Sequence, residues 1–528
     1  MTWAVAHMSE PNYVILMLFL VLCGLLWFLT GSADDDAAMF PVQDRPGKAW
    51  HTGLAISGES LSAVTLMALV GLIAFTGLDG LVLSLGCVMG LVLLAVLIAE
   101  PLRRAGGHTV GDALARRFPQ RSVRTAVGLV GLAVCLPYLV LQLTAIGTLT
   151  GYVMGFSSPT ARMAAVVVNG ALMISLAVSG GLRGTGRLQI TKVMVLLGAL
   201  GAVAVLVLDR FGWSPGLLLG TAVSHSGLGD AFLGPGVQQG HGLTGTMNRL
   251  GGFVTLALAV CCLPQVTMRV LNTPSARATG TAMRWAVAQL VLVSLLLAVI
   301  GVGAVALLGT PALHAADPSG SSSLLLVADA LRPGGGLLSV VFCAVFLTAL
   351  STVADVTVAA VGTVVRDLGP GRGSGSARTD SHQQERRARW WAALTGVVTV
   401  VLAVQAAGWN LLVLSTFAMT LAASCLGPVL LYGLLWPRFT ARGALWCLYG
   451  SGALTFLLIA VSPLISGSPA AAFPGHDFHL VPLVSPGLVT VPAGFAFGWL
   501  GSVLDRGGAD PARYAAVTTA GLVGSRSE

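Results

Sequence analysis

The sequence predicts an all-α, polytopic membrane protein with about thirteen transmembrane helices. The first observation is the composition: 55% of the 528 residues are hydrophobic, 9% are charged, and the mean hydropathy is +0.85. A soluble domain of this size presents more polar surface to water. Second, the apolar residues form thirteen stretches of roughly 20 residues, the length that crosses a bilayer. Third, 25 of the 29 basic residues then fall on one side of the membrane.

The thirteen predicted helices follow one another from the N-terminal region to the C-terminal region. In chain order they lie near residues 12–30, 52–76, 80–102, 124–152, 162–181, 187–208, 247–267, 284–309, 336–365, 390–408, 410–436, 442–464 and 482–504. The first stretch is longer than the core of a signal peptide, and acidic residues follow it in place of a small-residue cleavage site. We therefore expect it to be retained as a helix.

The basic residues predict the orientation of the chain. Short loops rich in Lys and Arg stay on the cytoplasmic side, and an odd number of helices puts the two termini on opposite sides. The prediction is a multi-pass protein of a cytoplasmic membrane, with the N-terminus outside and residues 505–528 as a cytoplasmic tail. The abundance of Ala, Gly, Val and Arg suggests a bacterial source.

Several classes of function are excluded by composition and by missing motifs. The formal net charge of +8 does not indicate nucleic-acid binding, because the cations are spread over short loops and are not interleaved with aromatic residues. No paired acid and base, nucleophile or glycine-rich phosphate loop is evident. We predict a protein that is not an enzyme and has neither a cofactor nor a metal site beyond one for an alkali cation. Its partners are the lipid bilayer, a small-molecule solute and a coupling cation, with no obligatory protein partner.

Charged residues inside the predicted helices are few. Because such residues are costly in a bilayer, they mark functional sites by default. Glu59 lies in the second helix and Asp355 in the ninth, while we expect Lys192 to extend from the end of the sixth helix to the cytoplasmic interface. Ser351, Thr352 and Asp355 share one face of the ninth helix. Their oxygen atoms are hard ligands of the kind that an alkali cation prefers.

A break in the second helix would supply further oxygen ligands. The segment around Ser57 and Gly58, with Ser60 and Ser62 close by, is small and weakly helical at mid-membrane. Backbone carbonyls freed at such a break can coordinate a cation. The alternative is that glycines and hydroxyl residues only let helices pack closely. For the three polar residues of the ninth helix together, we favour a cation site.

Several segments resemble the sodium:solute symporter family, and within it the branch of cation/acetate and other monocarboxylate symporters. The second helix, GLAISGESLSAVTLMALVGLIAFTGLDG, is similar to the branch pattern GLAIxGDxxSA…GLIAxxGxDG. The segment EPLRRAGGHTVGDALARRF resembles EPLRxxGxxTxxDxLxxR, and LPQVTMRVLNTPSA resembles LPHxxMRxxxxPxA. SGGLRGTGRLQITKVMVLL also fits the branch. In these motifs Glu59 stands where the branch has Asp, and Gln265 replaces the usual His.

The resemblance implies a five-plus-five inverted-repeat core of the LeuT type. Residues 52–208 would form the first repeat and 247–436 the second, with an extra helix within residues 1–30 and two more helices in 442–504. The implied sodium site, for which a proton is the alternative coupling ion, uses carbonyls of Gly58, Leu61 and Thr348 and hydroxyls of Ser351 and Thr352, and Asp355 would add a carboxylate. The implied substrate site comprises Glu59, Ser60, Ser62, Tyr138, Gln142, Thr144 and Gln265.

The expected function is secondary active transport, in which uptake of a small monocarboxylate such as acetate is coupled to a cation, sodium in the family, by alternating access. Two features oppose an anionic substrate: ionised Glu59 would repel it, and no arginine is expected near the centre. A sodium-coupled symporter of proline or another zwitterion is therefore the alternative. Two further alternatives are a solute-sensing membrane receptor that uses the transporter fold and a passive channel.

Overall fold

A computed structural model describes residues 49–153, 159–240, 242–333, 335–369, 381–406, 411–467, 471–473 and 475–520. Throughout these residues the chain is built from α-helices, and its β-pairing is limited to an isolated bridge between Ser466 and Phe473. The predicted helix at 12–30 lies outside the described residues. The total of thirteen helices therefore stays a prediction.

Twenty α-helices, numbered here in chain order, make up the described chain. They are α1 Ala49–Ser60, α2 Ala63–Thr76, α3 Leu78–Leu93, α4 Ala99–Ala105, α5 Val110–Arg117, α6 Arg121–Val153, α7 Pro159–Arg210, α8 Pro215–His225, α9 Gly242–Cys262, α10 Pro264–Leu271, α11 Ala276–Leu308, α12 Thr310–Ala316, α13 Ser323–Leu331, α14 Gly336–Gly362, α15 Ser381–Gln405, α16 Leu411–Leu421, α17 Gly427–Leu435, α18 Ala441–Ala460, α19 Gly487–Val503 and α20 Pro511–Ala520. Short π-helical turns, Leu94–Ile98, Thr363–Leu368 and Ala422–Leu426, extend α3, α14 and α16.

Each of the other twelve predicted membrane helices has a counterpart in the described residues. Nine helices of the described chain are long and apolar enough to cross a membrane. α1 and α2, which meet at a bend of 62°, are together long and apolar enough for one broken crossing. Two shorter apolar helices, Met163–Val178 and Gly487–Val503, match the remaining two predictions. The apolar pattern thus located every crossing segment that the structure describes.

The boundary between two of the predicted helices differs from the expectation. α7 is one helix of 52 residues that runs through Arg183, where the sequence predicted a loop between 181 and 187. A straight helix of that length measures about 78 Å, well over twice the roughly 30 Å thickness of a hydrocarbon core. The helix nevertheless contains two separate apolar stretches, Met163–Val178 and Thr185–Arg210. The predicted crossing segments are therefore present, but the predicted loop between them is not.

The centre of the molecule is α14. Its apolar part is 83% buried, the highest share among the nine long apolar helices of the described chain, because α14 packs against α7, α6 and α15. α1 lies on the other side of the same region, where it packs against α11, α7 and α10. α7 contacts both α1 and α14, so polar side chains on these three helices can meet in the interior.

Arg117 connects α5 to the end of α17 and to the C-terminal region. Its guanidinium donates hydrogen bonds to the carbonyl oxygens of Gly433 (2.5 Å), Trp436 (2.7 Å) and Phe439 (3.1 Å), and it stacks over the ring of Tyr514. The last carbonyls of a helix lack intrahelical partners, and a cation satisfies them. α20, which contains Tyr514, lies within the predicted C-terminal tail, so part of this tail is a helix packed against the transmembrane domain.

Candidate functional site

The helix break predicted in the second crossing helix is confirmed. α1 ends at Ser60 and α2 begins at Ala63, and the Ser62 hydroxyl oxygen accepts a hydrogen bond from the N–H of Thr65 at 3.0 Å. In a continuous helix that N–H would pair with the carbonyl of Leu61. Because Ser62 takes it as an N-cap, the Leu61 carbonyl oxygen is left for another donor.

The polar face predicted on the ninth helix lies in α14, at the level of this break. Thr348, Ser351, Thr352 and Asp355 are each at most 2% exposed. The hydroxyls of Ser351 and Thr352 bond to the backbone of their own helix. Ser351 donates to the Thr348 carbonyl oxygen at 3.1 Å, and Thr352 donates to the same oxygen at 2.8 Å. Four of the predicted cation ligands therefore lie on α14, and the hydroxyls of two of them are bonded to the Thr348 carbonyl.

Lys192 does not reach the interface, and the prediction that it extends there is wrong. It is fully buried, and its ammonium group donates hydrogen bonds to the carbonyl oxygens of Gly58 at 2.5 Å and Leu61 at 2.9 Å. The Thr352 hydroxyl oxygen lies 3.5 Å from the same nitrogen. Three of the five residues that the resemblance assigns to sodium thus surround the Lys192 ammonium. A buried ammonium needs such partners because leaving it unpaired is costly.

Arg269 lies in the centre of the protein, against the expectation that no arginine would. It belongs to α10, which begins at Pro264 immediately after a break at Leu263 and so turns into the interior. Its guanidinium donates to the carboxylates of both Glu59 and Asp355, the latter at 2.8 Å, and to the Thr185 hydroxyl at 2.9 Å. Because Pro lacks an N–H, it suits the first position of a helix that restarts after a break.

Asp355 is part of this ionic cluster and does not contact the Lys192 ammonium directly. Its second carboxylate oxygen accepts a hydrogen bond from the Gln189 side chain on α7. Gly58 allows α7 to approach this closely, since a Cβ at position 58 would lie 2.5 Å from the Gln189 amide oxygen. The carboxylate predicted to join the cation ligands is thus held by Arg269 and Gln189.

The predicted substrate residues fall into two groups. The Tyr138 hydroxyl on α6 faces the side chains of Ser62, Thr65 and Gln142, so these residues meet beside the start of α2. Glu59 lies with Arg269 instead. The other predicted residues of this site are buried nearby or bonded within their own helices: Ser60, whose hydroxyl donates to the Ile56 carbonyl at 3.2 Å, Thr144 on α6 and Gln265 in the first turn of α10.

Some buried polar atoms in this region have no hydrogen-bond partner within the described chain. They include one carboxylate oxygen of Glu59, both amide atoms of Gln142 and the amide nitrogen of Gln265. Buried polar groups in native proteins are nearly always paired, so atoms of this kind are suited to bind water or a polar solute. Both donors and acceptors are available, which fits a small polar molecule.

Sequence reasoning missed Gln189, Lys192, Arg269 and Thr185 as members of the central cluster. A signal for the first two existed, since Gln189 and Lys192 are three residues apart and share one face of α7. For Arg269 the signal was Pro264, because a helix that begins at a break places its first two turns near the middle of the crossing.

Comparison with known proteins gives the family. The profile of the sodium:solute symporter family matches residues 43–450, more than three quarters of the chain. The chain belongs to the sodium:solute symporter family. It is similar to a monocarboxylic acid transporter of Corynebacterium glutamicum, with 30% identity over 510 residues that cover 94% of this chain and 91% of the relative. It is also 30% identical over 506 residues to the uncharacterized symporter YwcA of Bacillus subtilis, covering 93% of this chain and 94% of the relative.

A solved structure supports the fold of this symporter. The substrate-bound, outward-open state of a sodium-coupled sialic acid symporter superposes with a TM-score of 0.70 at 13% identity, covering 96% of this chain and all of the other. At this identity the likeness shows the fold alone, which is the LeuT type. Family membership makes the protein a multi-pass membrane transporter of the symporter class and implies sodium as the coupling ion.

Proposed function

We propose that this symporter takes up a small monocarboxylate such as acetate together with a cation. The observation that carries the proposal is the contact between Glu59 and Arg269. An ionised Glu59 near the solute was the objection to an anionic substrate, and a guanidinium bonded to it neutralises its charge. The similarity to a monocarboxylic acid transporter over 94% of the chain points in the same direction.

The charges of the central cluster also favour co-transport of an anion with a cation. In their ionised forms Glu59 and Asp355 carry two negative charges, and Arg269 and Lys192 carry two positive charges, so the formal charges of the cluster cancel. A monocarboxylate that enters adds one negative charge that nothing in the cluster balances. Because an unpaired charge is costly inside a membrane protein, one monovalent cation entering with the solute restores neutrality.

The helix breaks provide a place for the carboxylate. α2 begins at Ala63, directly after the break, and the start of a helix carries a positive partial charge that favours an anion. Ser62 and Tyr138 bring hydroxyl groups to the same place. A small anion bound here would lie between the broken helix and α6, with the cation beside α14.

Transport would then follow alternating access. Residues 52–208 and 247–436 act as the two inverted repeats, and one bundle derived from them moves against the rest when cation and solute are both bound. The cation contributes the energy of its gradient, and one charge moving through 100 mV is worth about 2.3 kcal/mol. The topology that fits uptake has the N-terminus outside and the C-terminus in the cytoplasm.

Uptake of radiolabelled acetate into proteoliposomes, with and without an inward sodium gradient, tests the proposal. We expect accumulation above equilibrium that a sodium gradient drives and that Ser351→Ala/Thr352→Ala abolishes. Thr399→Ala on α15 is the matched control, because it removes a buried hydroxyl that bonds only to its own helix, donating to the Thr395 carbonyl at 2.8 Å. Acetate entering without accumulation would instead indicate a channel.

A zwitterionic solute is the second candidate, and one observation favours it. The Glu59 oxygen without a partner could accept a hydrogen bond from the ammonium group of proline or a similar compound. Competition separates the two: excess unlabelled propionate should suppress acetate uptake, while excess proline or betaine should not. Uptake of proline with sodium in the absence of acetate uptake would overturn the monocarboxylate assignment. Solute binding without any transport would instead favour the receptor alternative.

A further inference from the structure

The Lys192 ammonium lies at the position that the resemblance assigns to sodium. It contacts the carbonyl oxygens of Gly58 and Leu61 and lies 3.5 Å from the Thr352 hydroxyl. The two carbonyls come from the end of α1 and the break after it, and the hydroxyl comes from α14. These are the two surfaces that a cation must bridge to couple its binding to movement of the broken helix.

An ammonium group and an alkali cation make the same demands on such a site. Each carries one positive charge, and each is stabilised by hard oxygen atoms from carbonyls and hydroxyls. Two cations cannot share these oxygens, because their charges would repel each other at contact distance in a region of low dielectric constant. Whichever cation lies between α1 and α14 therefore excludes the other.

Neighbouring groups hold Lys192 in this position. Asp355 and Glu59 supply negative charge close to the ammonium, and both carboxylates are also bonded to Arg269. Gln189, one helical turn earlier on α7, is hydrogen-bonded to Asp355 and fixes the register of α7 against α14. The lysine is thus part of a neutral cluster and has a defined set of partners.

We propose that Lys192 is a tethered cation that occupies the sodium site of this symporter. Sodium then reaches these oxygens only when the Lys192 side chain moves away, and the lysine lowers the apparent affinity for sodium. The inference rests on the proposed function for its coupling ion, and it deepens that function by naming the residue that controls access of the ion. The departing ammonium stays in the protein, so solute and sodium together leave the charge of the cluster unchanged.

Direct binding of ²²Na⁺ to the purified protein in nanodiscs, at one neutral pH and without solute, tests this. Lys192→Met removes the charge and keeps most of the length of the side chain, and Lys192→Gln is a second neutral variant in case the first does not fold. Because the apparent affinity falls in proportion to the fraction of molecules whose site is open, we expect either variant to bind sodium at least about tenfold more tightly than the wild type. Lys192→Arg, which retains the charge, should bind sodium as weakly as the wild type does.

A second substitution shows where the gained sodium binds. In the Lys192→Met protein, Thr352→Ala should remove most of the gain, and Thr399→Ala should leave it intact, because only Thr352 faces the ammonium. Equal sodium affinity in the wild type and the neutral variants would overturn the proposal. The proposal would also be overturned if the gain in sodium affinity persisted after Thr352→Ala. Such a gain would reflect only the removal of a positive charge and not binding at this site. Failure of acetate uptake alone would overturn the proposed function and would leave this result unaffected.

Discussion

Replacing Arg269 by methionine should strongly destabilise the protein. The guanidinium is the cation that both Glu59 and Asp355 contact, and the residue is 8% exposed. Removing one partner of a buried ion pair costs about 3–5 kcal/mol, because the remaining charge stays buried without compensation. Lys192 is already engaged with carbonyl oxygens, so it compensates only part of the charge. We therefore expect Arg269→Met to lower the free energy of unfolding by an amount within this range.

Unfolding in mixed detergent micelles, followed by circular dichroism, measures the loss of stability in Arg269→Met. Adding Glu59→Gln to Arg269→Met should recover a substantial part of it, because the double variant no longer buries an unpaired carboxylate at position 59. Arg284→Met is the control: Arg284 is an exposed arginine on α11 that bonds only near its own turn, and its loss should change stability by less than about 0.5 kcal/mol. A loss below about 1 kcal/mol for Arg269→Met, or no recovery in the double variant, would refute the buried cluster.

Two further predictions concern the packing and the solute. Gly58→Ala should lower the free energy of unfolding by about 1–3 kcal/mol in the same assay, because the new Cβ would lie 2.5 Å from a Gln189 oxygen. Gly280→Ala is the control: there is open space around its Cβ, so the substitution should be neutral or slightly stabilising. Equal effects of the two would contradict the close contact between α1 and α7. Tyr138→Phe should raise the KM for solute uptake about fivefold, which is the equivalent of one hydrogen bond, and should leave sodium binding unchanged. Tyr449→Phe, at an exposed position, should change neither the KM nor sodium binding. An unchanged KM in Tyr138→Phe would remove that hydroxyl from the solute site.

The crossing segments and the broken helix were accessible to sequence reasoning for definite physical reasons. Backbone groups cannot remain unpaired in lipid, so each crossing needs a continuous apolar stretch, and such stretches are visible in the sequence. The break near Gly58 was visible because glycine and serine favour helix ends and Ser62 can cap the next helix. The polar face of α14 followed from helical periodicity alone.

The partners of the charged residues were not accessible in the same way. Lys192 lies five residues after Arg187, which the sequence placed at the end of a helix, and a long side chain at that position can extend outward or inward. Its direction depends on which helix packs against α7, and that contact joins residues more than 130 positions apart. Arg269 lies two residues beyond the end of the helix predicted at 247–267, so no arginine was expected near the centre. Its burial depends on the direction in which α10 leaves the break.

The corrected positions of Lys192 and Arg269 change the electrostatic argument about the solute. With both cations at the periphery, Glu59 and Asp355 would give the centre a negative charge that attracts cations and repels a carboxylate. With both inside, the cluster is formally neutral, and a carboxylate and a monovalent cation can enter only as a balanced pair without leaving an uncompensated charge. Displacement of the Lys192 ammonium by sodium does not alter this balance as long as the ammonium remains beside the carboxylates. If the solute is the proposed monocarboxylate, a neutral centre that holds its own tethered cation would couple the anion to a cation through charge alone, before any movement of the helices is considered.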